Sequence, residues 1–139
     1  MKKQILANGQ KARQRNDKED RTIVYHDWLR TVDTGGYFCD ADILKWRDIE
    51  GKPTPVAVTE LTRCDRERIG PGYLRAIEQR WFHRDRQGAI FTQLGKLLGC
   101  PVYIVLFQKE MKWIWVFSFQ QKQWKEFTPQ GWGEFLKSL

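Results

Sequence analysis

The stretch Gln87–Phe107, QGAIFTQLGKLLGCPVYIVLF, decides the fold. Within it Ile90, Phe91, Leu94, Leu97 and Leu98 recur at helical spacing, so a helix is predicted over 87–98, and Gly99 stands where a helix end favours a left-handed glycine. The following PVYIVLF, Pro101–Phe107, is apolar without a break, as in a strand covered on both faces. A helix that passes directly into such a strand is the crossover that lays one strand parallel to another. One central sheet with helices against it is therefore expected.

Upstream, Tyr37–Trp46, YFCDADILKW, is rich in aromatic and aliphatic residues and reads as a strand. Asp48–Pro55, DIEGKPTP, has turn chemistry, and the apolar PVAVTELT that ends at Thr62 reads as the next strand, antiparallel to the first across a tight connection. Gly70-Pro71-Gly72 marks another turn, after which Tyr73, Leu74, Ile77, Trp81 and Phe82 trace a helical face. Downstream of the crossover, Gln108–Lys112 turns, Trp113–Phe119 returns as a strand, and Pro129, Trp132, Phe135 and Leu136 suit a short closing helix. Near the start, Ile23, Val24, Trp28, Leu29 and Val32 mark a first helix that Gly35-Gly36 stops. The predicted fold class is α/β, a single mixed central sheet flanked by helices, formed as one domain over 23–139. Residues 1–22, polar and basic without a sustained apolar period, read as a flexible arm.

A chain of 139 residues is one domain's worth, and 41% hydrophobic with 29% charged residues excludes both a disordered chain and a membrane protein. The longest apolar run, Pro101–Phe107, falls well short of the roughly 20 residues that span a bilayer. Cys39, Cys64 and Cys100 form no CxxC pair, and an odd number of cysteines suits a reducing compartment, so the cytoplasm is the expected location. The net charge of +7 is unevenly spread. Arg63–Arg86 holds seven arginines against four acids, whereas Ile23–Thr62 holds seven acids against four bases. A basic surface attracts polyanions such as nucleic acid, and an acidic island within it would repel phosphate unless divalent cations neutralised it.

Asp42 and Glu60 carry that island into the two predicted strands, where acids are least expected. Carboxylates on adjacent strands make a hard-oxygen site for Mg²⁺ or Mn²⁺, completed by water and substrate phosphate. In CDADILKWRDIEGKPTPVAVTELTR, Cys39–Arg63, the residues resemble the PD-(D/E)XK nuclease superfamily, whose pattern is an acid, a hairpin, and a second acid two residues before a lysine. The resemblance spans about 23–119 and implies a restriction-endonuclease-like fold, with Asp42 as the first acid, Glu60 as the second and Thr62 at the lysine position. It also implies that the Leu61 carbonyl completes the metal shell. A threonine hydroxyl can hold water but is far too weak a base to take its proton. Substitutes follow from alternation: Lys45 and Arg63 fall on the wrong strand face, whereas Gln93 or Lys96 on the following helix are accessory candidates, and Asp40 shares the face of Asp42.

The expected function is a metal-dependent, nuclease-like phosphodiesterase acting on DNA, with RNA less favoured, in which Arg63, Arg66, Arg68, Arg75 and Arg80 grip the backbone. The competing expectation is a non-catalytic nucleic-acid-binding or assembly protein that keeps the same fold. A homodimer is left open. His26 and His83 stand alone and read as surface residues, and only Trp124, between Lys122 and Lys125, reads as exposed enough to stack on a base.

Overall fold

Contacts divide the chain into two units, Met1–Asp40 and Ala41–Leu139. The computed structural model describes residues 4–5, 11–12, 22–35, 39 and 41–139. In the first unit β1 (Gln4–Ile5) pairs antiparallel with β2 (Lys11–Ala12), and α1 spans Ile23–Leu29. Residues 1–22, read as a flexible arm, include this short strand pair.

The second unit runs β3 (Ile43–Ile49), β4 (Lys52–Arg63), α2 (Pro71–Gln79), a π-helical turn (Arg80–Arg84), α3 (Gln87–Leu98), β5 (Val102–Phe107), β6 (Ile114–Ser118), β7 (Gln123–Phe127) and α4 (Pro129–Ser138). The strands form one sheet in the order β3-β4-β5-β6-β7, antiparallel at every step except β4–β5, which is parallel. The fold is thus α/β with a single mixed sheet flanked by helices, and the crossover through α3 supplies its parallel step.

Glu50 and Gly51, with φ of 52° and 75°, close the β3–β4 hairpin. A two-residue loop with both φ values positive matches the twist of its strands, so pairing continues to Ile49↔Lys52 through the segment expected to be a turn. Pro53 and Pro55, which suggested that turn, sit in β4 before its pairing with β5 begins at Val58. There β4 is an edge strand, where a missing backbone N–H leaves no ladder bond unmade. A register shift between Lys45 and Trp46 separates this free-standing half of the hairpin from the half inside the sheet.

Alternation then sorts the side chains into two layers. Val58, Val102, Ile104, Leu106 and Phe117 pack beneath Leu74 and Ile77 of α2, Trp81 and Phe91. On the opposite face Ala57, Tyr103, Val105, Ile114 and Val116 pack with Trp132 of α4. Thr128 caps α4 by accepting from the Gly131 N–H at 3.0 Å, with Pro129 in its first turn.

The strand β7 has no counterpart among the predicted elements, and it corrects the reading of Trp124. That residue packs on the α2/α3 face, its ring 5.4 Å from Phe117, and its indole N–H donates to Glu78 Oε1 at 2.8 Å. Its aromatic surface belongs to the core rather than to a stacking platform. Among the described residues no helix is long and apolar enough to cross a membrane.

Candidate functional site

Sheet register decides which predicted residues meet. On the parallel step Val58 pairs with Val102, Glu60 with Ile104 and Thr62 with Leu106. These three β5 residues line the α2/α3 core, so Glu60 and Thr62 share that face near the C-terminal ends of both strands. Asp42 lies just before β3, whose first pair is Ile43↔Thr59, and this sets it opposite Glu60.

The two acids interlock through backbone donors. The Asp42 N–H donates to Glu60 Oε1 at 2.7 Å, and the Leu61 N–H donates to Asp42 Oδ2 at 2.9 Å. Glu60 is only 5% exposed, whereas Asp42 stands at the surface. A buried carboxylate needs hydrogen-bonded partners to offset its lost hydration, and backbone N–H groups supply part of that here. Each of these bonds occupies one carboxylate oxygen. Among the described residues no group of three or more His, Cys, Asp and Glu could hold a metal ion. Two hard carboxylates on one face nonetheless fit Mg²⁺, which is held by one or two carboxylates plus water and substrate phosphate. Leu61 meets Asp42 through its amide N–H.

The alternative cations lie elsewhere. Lys45, on the opposite face, donates to the Leu136 carbonyl of α4, and Arg47 donates to that of Lys137 at 2.5 Å. Burial, and secondarily the neighbouring Arg47, lowers the pKa of Lys45 below its usual range. Arg63 is clasped by Asp65, with Nε 2.9 Å and Nη2 2.7 Å from Oδ2. That ion pair lowers the Asp65 carboxyl pKa, and the Lys109 backbone N–H adds to the effect at 3.0 Å. Lys96 lines a groove beside Val102 and Phe119. Thr62 is level with Leu106, four residues further along β5, roughly 13 Å away at the usual strand rise. Gln93 is exposed on α3, and Asp40 lies outside the described residues.

The arginine-rich segment after β4 is pinned from below. Buried Gln108 donates to the Arg66 carbonyl at 2.7 Å, and the Trp113 indole N–H donates to the Glu67 carbonyl at 2.9 Å. The Arg66 guanidinium then lies 4.5 Å above the Tyr73 ring. A hydrogen bond to Cys64 raises the pKa of the Tyr73 hydroxyl, burial adds to this, and Arg66 and Arg80 oppose it. Arg68 and Arg75 are exposed, and Arg80 is half-buried in the π-helical turn. Sequence reasoning missed Tyr73, Cys64 and Gln108, since no spacing links residues that meet only through the fold. His26 and His83 are exposed, as expected.

No family model, curated protein or solved structure matches this chain.

Proposed function

We propose that the protein is a metal-dependent, nuclease-like phosphodiesterase acting on nucleic acid, with DNA favoured over RNA. The observation that carries this reading is the interlocked Asp42–Glu60 pair at the hairpin mouth, beside a pinned, arginine-bearing segment. Asp42 and Glu60 would hold Mg²⁺ or Mn²⁺, which when bound polarises a phosphodiester and lowers the pKa of a water. Asp42, being exposed, presents the site to substrate, while Glu60 is fixed by the sheet. Arg66, Arg68, Arg75 and Arg80 supply phosphate contacts. Arg63, held by Asp65, is the weakest of the five arginines for that task.

Cleavage of plasmid, single-stranded DNA and structured RNA in Mg²⁺ or Mn²⁺ tests the reading. Asp42→Asn and Glu60→Gln should each remove cleavage while leaving salt-sensitive DNA binding in place. Turnover that survives both substitutions in one chain would discard the site. One observation favours the second reading, a non-catalytic binder: Thr62 stands where the motif has its lysine, and Lys45, Arg63 and Lys96 are directed away. That reading predicts DNA binding with neither turnover nor Mn²⁺ uptake, which calorimetry on the intact protein separates from the first.

A further inference from the structure

Arg66 differs from its neighbours after β4. Arg63 is paired with Asp65 and Arg84 with Asp85, whereas Arg66 makes no ion pair among the described residues. Its guanidinium lies over the Tyr73 ring instead, 4.5 Å from the ring centre. Both partners are fixed. The Arg66 carbonyl accepts from buried Gln108 at 2.7 Å, and the next carbonyl, that of Glu67, accepts from the Trp113 indole. Tyr73, half-buried in the first turn of α2, packs against the α2/α3 core, and its hydroxyl is hydrogen-bonded to Cys64.

Cys64 ties this pair to the candidate site. Its N–H donates to the Phe107 carbonyl as that of Val58 does to Pro101, so the phase of β4 continues through it, and Cys64 shares a face with Glu60 and Thr62. At the usual strand rise it stands roughly 7 Å beyond Thr62 and roughly 13 Å beyond Glu60. A stacked strand advances about 3.4 Å per nucleotide, so a chain held at Asp42 and Glu60 reaches Arg66 within about four nucleotides.

Holding a phosphate needs only a free cation, which exposed Arg68 and Arg75 already supply, and gains nothing from a ring beneath it. A nucleobase does gain. Guanidinium planes and aromatic rings are the surfaces on which unpaired bases stack, and an arginine already ordered over a ring loses less freedom when the base arrives. In a continuous duplex each base is covered by its neighbours, so only an unpaired or terminal base is open to this contact.

We infer that Arg66 over Tyr73 is a stacking platform for an unpaired nucleobase, so that the Asp42–Glu60 site acts on single strands or single-stranded tails rather than on continuous duplex. The inference rests on the proposed action on nucleic acid and names its substrate class. The test is fluorescence anisotropy on the full chain in EDTA, with oligothymidylate and an abasic strand of equal length as probes. Oligothymidylate should bind about tenfold more tightly than the abasic strand, which keeps the phosphates and lacks the bases. Arg66→Lys keeps the charge and loses the plane, so it should remove most of that difference while leaving the abasic strand bound as before, and Arg75→Lys should not. Arg66 is exposed, so its variant leaves the core intact. Tyr73→Phe, which retains the ring, should bind as the parent does. With Mn²⁺ added, oligothymidylate should be cut faster than its duplex with oligodeoxyadenylate, and Arg66→Lys should narrow that gap. Equal affinity for the two strands, a difference that Arg66→Lys leaves intact, or equal cutting of strand and duplex would overturn the inference and leave the Asp42–Glu60 site standing. No salt-sensitive binding of either strand would remove nucleic acid as the substrate, and this inference with it.

Discussion

Lys45 of β3 donates its ammonium to the carbonyl oxygen of Leu136, in the last turn of α4. Arg47, two residues along the same strand, reaches the Lys137 carbonyl. A helix end leaves its final carbonyls without intrahelical partners and carries partial negative charge, so cations from the sheet complete α4 and fasten it. Lys45→Met should therefore destabilise the fold by about 1–2 kcal/mol in urea unfolding. The same variant should cleave DNA as the parent does, because its side chain lies on the face opposite Glu60. An unchanged unfolding midpoint would show that the contact contributes nothing.

Gly88 in the first turn of α3 is a packing requirement rather than a helix signal. A Cβ there would lie 2.4 Å from Phe82 Cδ1 and 2.7 Å from Cε1. That ring is itself set against Phe117 and Phe119, at 5.8 and 5.3 Å between centres. Helix propensity favours alanine over glycine by about 1 kcal/mol, while overpacking costs about 1–3 kcal/mol. The clash should win, leaving Gly88→Ala destabilised by roughly 1–2 kcal/mol. Gly133→Ala in α4, where nothing lies within 4 Å, should instead gain about 0.5–1 kcal/mol. Urea midpoints that moved in the same direction for both would contradict this.

Alkaline pH should weaken the fold through two neighbours at the start of β5. Burial raises the Cys100 thiol above 9.0. It also raises the Tyr103 hydroxyl above 10.0, and the Cys100 charge adds to this. Both groups keep their protons longer folded than unfolded, so their contribution is complete below about pH 9 and is lost as pH rises through the folded values. Lys45 acts in the opposite sense. Its pKa is lowered on folding, so stability recovers as pH rises from that lowered value towards 10.5. Urea midpoints measured from about pH 8 to about pH 11 should fall. Cys100→Ala with Tyr103→Phe should flatten the decline, and an equal slope in that variant would assign it to other groups.

The parts of the fold legible in the sequence are those whose signal is local. The apolar spacing in 87–98 and the unbroken PVYIVLF predicted α3, β5 and the parallel step, because helix and buried strand each imprint their own period. The meeting of Asp42 and Glu60 follows from their places on the two adjacent strands of one hairpin. What failed was decided at long range. QWKEF carries little apolar signal because β7 is the sheet's outer edge, and Trp124 between two lysines reads as exposed because nothing local shows that Glu78 of α2 meets its indole. Pro53 and Pro55 read as a turn because only the assembled sheet reveals that β4 lacks a second neighbour there. Lys96 remained a candidate for the same reason: a helix has a face in sequence, but its height along a strand comes from packing.

Thr62 offers the sharpest test of the proposed activity. It shares the face of Glu60 and pairs with Leu106, where the PD-(D/E)XK pattern would set a lysine. Thr62→Lys would bring an ammonium close to the carboxylates of Asp42 and Glu60, where it can orient water and stabilise charge developing on a scissile phosphate. The competing idea was that a displaced lysine already fills this space, so that a second would crowd the metal and lower the rate. Lys96 lines the groove at the other end of β5, Lys45 caps α4 and Arg63 is clasped by Asp65, which removes all three as claimants. Cleavage in Mn²⁺ should therefore rise by roughly ten- to a hundredfold in Thr62→Lys, or become measurable where the parent is silent. Lys96→Ala should leave it unchanged. A half-buried lysine also brings its own titration, so the rate of the variant should acquire a pH dependence that Thr62→Ala lacks. If Thr62→Lys and Thr62→Ala both match the parent in Mn²⁺ affinity, DNA binding and cleavage, position 62 is not part of a catalytic site.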